Sequence, residues 1–270
     1  MDSLVTGAWL KNHLKDTDVV ILEASAVMNA SGSKIDSDQD HIVGARLFDL
    51  KNDFSDSEST LPNMLPSAVQ FEKECQKLGI NTSSKVVVYD TLGVYWSPRV
   101  WWMFKAMGHE NVAVLDGGLP SWKECNYPIE KSLVRPIVVG NFKAMLQQDC
   151  VVNFETVFAN SETGNALLID ARSQGRFNGT ELEPRKDLRS GSIPNSVNIP
   201  YTTVIDHGKF KSKIALEPIF ESVKKEDRSL IFSCGSGVTA CIVLLASTLV
   251  LDKKNSVYDG SWTEWAQKVN

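Results

Sequence analysis

The sequence predicts an α/β protein made of two tandem domains, each a parallel sheet covered by helices on both faces. Three observations carry this. Short β-branched runs alternate with longer helical patterns along the chain. Those runs are apolar at consecutive positions, as strands buried on both faces require. Four landmarks of the first half recur in the same order in the second, the mark of a duplicated domain. A length of 270 residues suits two domains of ordinary size.

The elements follow in order. Val19-Val20-Ile21-Leu22-Glu23-Ala24 is matched by Ala166-Leu167-Leu168-Ile169-Asp170-Ala171. His41-Ile42-Val43-Gly44-Ala45-Arg46 is matched by Ser192-Ile193-Pro194-Asn195-Ser196-Val197. Ser67 to Leu78 reads as a helix. Val86-Val87-Val88-Tyr89-Asp90 is a strand ending in polar residues, matched by Leu230-Ile231-Phe232-Ser233-Cys234. In this alignment Val88 stands beside Ile231 and Thr91 beside Cys234. Pro98 to Met107 reads as a second helix. Val112 to Gly118, with Trp122 after it, is matched by Ser256 to Ser261 with Trp265 at the same offset from its Asp-Gly pair. Between the halves Pro128 and Pro136 interrupt regular structure, and Val134 to Met145 reads as an extended surface segment. The expected boundaries are a domain at 1–135, a linker at 136–150 and a domain at 151–270.

Composition narrows the function. Lys plus Arg number 28 and Asp plus Glu 33, so the net charge is −5 and no nucleic-acid partner is expected. The longest apolar stretch, Val238 to Leu251, is too short to span a bilayer, so no membrane association is expected. Met1-Asp2-Ser3-Leu4 does not read as a leader, which points to the cytoplasm and leaves an internal signal or a mitochondrial address open. Five cysteines, an odd and thinly spread set, argue against a disulfide framework and for a reducing compartment. No CxxC pair exists and the four histidines lie far apart, so neither a metal nor a cofactor is expected.

A parallel sheet presents ligands beyond the carboxyl ends of its strands. After Ile231-Phe232 comes Ser233-Cys234-Gly235-Ser236-Gly237-Val238-Thr239-Ala240-Cys241, a strand running into a Gly-containing turn and then an apolar helix. Gly235 and Gly237 permit positive φ and leave N–H groups uncovered. Those groups can converge as an anion nest, with the helix N-terminus behind them. A thiolate at Cys234 would be stabilised there. A buried structural cysteine is the plainer alternative, but strand end, two glycines and helix start coincide at this one residue. Cys241, inside the apolar helix, reads as a small packed hydrophobe.

The loop Cys-Gly-Ser-Gly-Val-Thr-Ala-Cys resembles the active-site loop of the two-domain rhodanese superfamily, in its 3-mercaptopyruvate sulfurtransferase branch. The resemblance extends over nearly the whole chain. It includes Gly44-Ala45-Arg46-Leu47-Phe48-Asp49, Ser97-Pro98-Arg99-Val100-Trp101-Trp102, Leu115-Asp116-Gly117-Gly118, Glu183-Pro184-Arg185 and Tyr258-Asp259-Gly260-Ser261-Trp262. It implies two tandem rhodanese-like domains with only the C-terminal one catalytic. It also implies a double displacement. Cys234 takes sulfur from 3-mercaptopyruvate as a persulfide, pyruvate leaves, and a thiol, thioredoxin or cyanide removes the outer sulfur.

The implied substrate-binding residues are Gly235, Ser236, Gly237, Val238 and Thr239 of the loop, together with Arg176 and Arg185. An Arg fork pairs with a 2-oxo carboxylate edge as Lys does not. The alternative for both arginines is a solvated charge paired with Glu181 or Glu183. Arg172 and Arg189 match no site position and read as surface charges. Thiosulfate-using relatives carry basic residues after the Cys. Gly235 and Ser236 are neutral, which suits a monoanionic donor. A cysteine phosphatase would need an Arg closing the loop, where Ala240 and Cys241 stand. The Ser-His-Asp set proposed for this branch is incomplete: Ser236 matches, but Asn63 holds the His position and Lys51 the acid position. Asn cannot act as a base near neutral pH. Two rivals therefore stay open, a thiosulfate-preferring rhodanese and a weakly active sulfur-carrier or regulatory binding protein.

Overall fold

A computed structural model describes residues 1–25 and 40–269. The chain divides into two compact units. The first comprises Met1–Ser57, Leu65–Leu146 and His207–Lys209; the second comprises Glu58–Met64, Gln147–Asp206 and Phe210–Asn270.

In the first unit, strands β1 (Leu4–Val5), β2 (Val19–Ser25), β3 (Arg46–Asp49), β4 (Lys85–Tyr89) and β5 (Val112–Leu115) form one sheet. Its order is β1-β5-β4-β2-β3, and every pairing is parallel. Helices α1 (Gly7–His13), α2 (Ala68–Lys77), α3 (Ser97–Ala106) and α4 (Gly118–Glu124) cover it. Successive residues of β4 and β5 are buried whichever face they point to, so helices must lie on both faces. One face packs Ile21, Val87, Tyr89, Ala113 and Leu115 against Leu10 of α1 and Trp122 of α4. The Phe48, Phe54, Phe71, Phe104 and Phe142 rings form an aromatic cluster that includes α2 and α3. The helix expected at Ser67 to Leu78 is α2. Ser67 is its N-cap, the hydroxyl accepting from the Gln70 N–H at 3.2 Å.

The segment 134–145 contains no regular element. Val134 and Val138 are 92% and 90% exposed, yet Phe142 between its polar neighbours is fully buried. Its backbone is tied down as well: Gly140 N–H donates to Gln76 O at 2.8 Å and Phe142 N–H to Ile80 O at 3.1 Å. The stretch is thus a strap laid on the first unit.

In the second unit, β6 (Val151–Val152), β7 (Leu167–Asp170), β8 (Ser196–Asn198), β9 (Leu230–Ser233) and β10 (Asn255–Tyr258) form a parallel sheet in the order β6-β10-β9-β7-β8. This is the order of the first sheet, strand for strand, so the duplication read from the sequence is a duplication of topology. Its helices are α5 (Phe154–Thr163), α6 (Gln174–Asn178), α7 (Lys213–Leu216), α8 (Glu221–Lys224), α9 (Thr239–Thr248) and α10 (Ser261–Lys268). The apolar run from Val238 becomes α9, a helix buried on all sides from Ala240 to Ser247. Trp265 packs with Leu168, Ile231 and Tyr258, the counterpart of Trp122 in the first unit. Among the described residues, no helix is long and apolar enough to cross a membrane.

Register corrects one detail of the sequence alignment. Val88 pairs with Val114, while Val257, which stands two residues before its Asp-Gly pair as Val114 does, pairs with Phe232. Val88 therefore corresponds to Phe232 rather than Ile231, and Asp90, not Thr91, corresponds to Cys234. Two backbone hydrogen bonds agree: Leu119 N–H donates to Asp90 O, and Trp262 N–H donates to Cys234 O. A one-residue slip is easily made by eye, because every residue of both runs is apolar or buried.

Candidate active site

Cys234 directly follows β9, the strand between β7 and β10, and is 2% exposed. Four residues of turn separate it from α9, so the N-terminus of that helix follows it closely in the chain. The backbone there follows two different constraints. Gly237 adopts φ +76°, which only glycine takes without strain. Gly235 has no such φ. A Cβ on it would sit 3.0 Å from Arg176 Nη2 and 3.9 Å from Arg185 Nη1, so a side chain there would press on the Arg176 guanidinium. Both arginines singled out in the sequence thus meet at the residue after Cys234.

Not all of the loop donors are open. Ser261, the first residue of α10, accepts through Oγ from the N–H groups of Cys234 and Gly237 at 3.1 Å each, and donates to Tyr258 O at 2.8 Å. It is fully buried and holds φ +51°, an unusual conformation for a residue with a side chain. Among the described residues, the N–H groups of Gly235, Ser236, Val238 and Thr239 take no hydrogen-bond acceptor. The nest expected from the sequence is therefore narrower. Two donors are spent in fixing the loop, and the others are without a protein acceptor.

The equivalent loop of the first unit is filled from within. The Asp90 carboxylate, in the place of Cys234, accepts from the N–H groups of Leu92, Tyr95, Trp96 and Ser97 and from the Ser97 hydroxyl, at 2.7–3.0 Å. Gly118, at φ +50°, stands where Ser261 stands. The corresponding strand ends thus differ: one carries a carboxylate bonded within its own loop, the other a thiol beside N–H groups without a protein acceptor.

Around Arg176 lies a buried ionic network. Arg176 Nη2 and Nε both donate to Glu183 Oε2, at 2.6 and 3.1 Å. Glu183 Oε1 accepts from Arg172 Nη1 at 2.7 Å, and Arg172 also clamps Asp170 at the end of β7, its Nη2 2.6 Å from Oδ2. The Arg172 guanidinium lies 4.2 Å from the Trp262 ring centre. Arg172 is 1% exposed, which overturns its reading as a surface charge. Asp170 and Glu183 neutralise it, the condition under which an arginine is buried. Arg189 is exposed, as expected, and lies over the same ring at 5.0 Å. Arg176 is paired with Glu183, as the plainer reading had it, but the pairing holds it against the Cys234 loop. Arg185 donates through Nη1 to Thr263 Oγ1 at 3.3 Å, and among the described residues no carboxylate pairs with it. Thr263 Oγ1 in turn donates to Gly235 O at 2.6 Å.

Asn63, at φ +60°, donates through Nδ2 to Ser236 Oγ at 3.1 Å, so the residue at the expected relay position does reach the loop serine, as a hydrogen-bond donor. Lys51 belongs to the first unit, where its N–H donates to Asp49 Oδ1 at 3.0 Å. Cys241 is fully buried in α9, its Sγ 3.3 Å from Gly237 O, consistent with a packed thiol. Sequence reasoning missed Ser261, Thr263, Glu183 and Asp170. A signal existed for the first: aligning the halves sets Ser261 against Gly118.

The chain is thus two copies of one parallel α/β fold, with a buried cysteine at the strand end of the second and a carboxylate in its place in the first. The family model of the rhodanese-like domain matches residues 6–125 and 154–268. A 3-mercaptopyruvate sulfurtransferase of Rattus norvegicus is 37% identical over 97% of this chain and 91% of its own length. A thiosulfate sulfurtransferase of the same species is also 37% identical, over 98% and 92%. The crystal structure of SseA from Escherichia coli, a 3-mercaptopyruvate sulfotransferase, superposes with a TM-score of 0.85 at 34% identity, covering 97% of this chain and 99% of that one. The chain belongs to the rhodanese family, with two rhodanese-like domains in tandem, and it is a sulfurtransferase.

Proposed function

We propose that the enzyme takes sulfur from 3-mercaptopyruvate onto Cys234, in the second unit, and passes it to an acceptor thiol. The observation that carries this reading is the meeting of Arg176 and Arg185 over Gly235. Two guanidinium forks beside the nucleophile suit a planar 2-oxo carboxylate. The side edge of Arg176 is held by Glu183, which leaves its end-on Nη1/Nη2 edge for the donor.

The chemistry balances without a further reagent. The Cys234 thiolate attacks the donor sulfur, an S–S bond forms and the C–S bond breaks. The electron pair goes to carbon as the enolate of pyruvate, which picks up a proton and leaves. The N–H groups of Gly235, Ser236, Val238 and Thr239 stabilise the charge on the outer sulfur and the departing anion. An acceptor thiolate then attacks that outer sulfur and returns Cys234 as thiolate. With a dithiol such as thioredoxin, the second thiol displaces hydrosulfide; with cyanide the product is thiocyanate.

The identity figures favour neither sulfur donor, since the two rat relatives match equally. What favours mercaptopyruvate over thiosulfate is the neutral pair Gly235-Ser236 at the loop, together with arginines set back from it. Asn63 keeps the weakly active reading as the rival, because it offers Ser236 no base. Intact-mass analysis after adding mercaptopyruvate tests the proposal. The enzyme should gain about 32 Da on Cys234 and release pyruvate, whereas Cys234→Ser should do neither and Cys241→Ala should do both. A sulfur adduct on Cys241, or turnover by Cys234→Ser, would sink it.

A further inference from the structure

We propose that Glu183 sets the donor preference of the site, by fixing the net charge that faces Cys234 and by aiming Arg176 at it. This rests on the reading of Arg176 and Arg185 as the donor's anchors. Three arginines, Arg172, Arg176 and Arg185, gather at the loop and behind it. Two carboxylates, Asp170 and Glu183, are paired with them, so the cluster carries one net positive charge. That charge matches a monoanionic 2-oxo acid. A compact dianion would leave one negative charge uncompensated beside the thiolate.

Glu183 is the residue on which the balance turns. Its two oxygens are divided, Oε1 to Arg172 and Oε2 to Arg176, and its side chain is buried. The hydrogen bonds of the Asp170 carboxylate come from Arg172, and Arg176 acts on it only through its charge, without a hydrogen bond. Glu181 is turned away, accepting from the Ser173 hydroxyl. Glu183 thus acts through Arg176 rather than on the donor, and is a positioning residue. Removing its charge without removing its shape raises the cluster to two positive charges, the complement of thiosulfate.

The test is the ratio of kcat/KM for thiosulfate to kcat/KM for mercaptopyruvate, measured on the full chain with cyanide as acceptor. Glu183→Gln should raise this ratio by about tenfold, roughly what one unit charge several ångströms from the reacting sulfur contributes in a half-solvated cleft. Glu183→Asp keeps the charge while spoiling the reach, so it should lower both rates and leave the ratio near that of the unaltered enzyme. An unchanged ratio in folded Glu183→Gln would reduce Glu183 to a structural residue and overturn the inference. If Glu183→Gln does not fold by circular dichroism, Glu183→Ala, which also removes the charge, decides: a raised ratio upholds the charge argument and a steady one refutes it. Failure of the unaltered enzyme to form a persulfide from mercaptopyruvate would instead sink the underlying reading, whatever the variants do.

Discussion

Ser261 offers a sharp test of how the Cys234 loop is held. Its hydroxyl accepts from the Cys234 and Gly237 N–H groups and donates to Tyr258 O, and the residue sits fully buried at φ +51°. Ser261→Ala keeps the unfavourable backbone and leaves two buried donors without partners. At about 1–3 kcal/mol for each of the two groups, the loop should lose roughly 2–6 kcal/mol. Ser261→Gly loses the same bonds but relieves the left-handed strain, and should fall short of the Ala variant's loss by about 1 kcal/mol. Hydrogen exchange over residues 233–241 reads this directly, since 3 kcal/mol corresponds to exchange faster by about a hundredfold. The rate of persulfide formation should fall in both variants, because the nest would no longer be fixed. The mirror substitution is the control. Gly118 occupies the matching φ of +50°, and a Cβ there would collide with the carbonyl oxygens of Asp90 and Gly93. Gly118→Ser should therefore cost roughly 2–4 kcal/mol of stability in the first unit, without any gain from its hydroxyl. Unaltered exchange and full activity in Ser261→Ala would refute the claim that this hydroxyl anchors the loop.

Three further outcomes are expected. Arg176→Ala and Arg185→Ala should each lower kcat/KM for mercaptopyruvate by roughly 1.5–3 kcal/mol, with incomplete rescue by Lys; unchanged kinetics in both would make them bystanders. Asn63→Ala removes the Nδ2 donor shared by Ser236 Oγ and O, at 3.1 and 3.5 Å, and should cost at most about tenfold, while Asn63→His should hardly alter turnover unless a proton relay matters; a hundredfold loss in the Ala variant would refute this. His109 is 5% exposed and burial holds its pKa below the usual 6.5. The unfolded chain then binds the extra proton first, so stability should decline as pH falls below about 6.5 down to the lowered folded value, and His109→Gln should flatten that part of the pH–stability curve.

Much of the fold is written in local patterns. Buried strands read as continuous apolar runs, and α2 carries its own N-cap in Ser67, so both are legible without tertiary information. The Cys234 loop is legible for the same reason: a strand end, two glycines and a helix start occupy seven consecutive residues. Arg172 was misread because burial of a charge depends on partners that periodicity does not reveal. Asp170 lies two residues before it, but Glu183 is eleven away and Trp262 ninety, and only the folded chain brings them together.

The sequence by itself determined the duplication, the parallel α/β class and the cysteine to examine, because each rests on residues close together in the chain. Tertiary structure alone decided which residue of the first unit stands in the place of Cys234. The apolar strands permit more than one alignment, and hydrogen-bond register admits a single one, which sets Asp90 against Cys234. It likewise decided which loop donors are free. Ser261 follows Cys234 by twenty-seven residues, and its hydroxyl reaches the loop only because β9 and β10 lie side by side. An open anion nest is a property of which N–H groups remain unpaired after folding, and that count exists only once the partners have met.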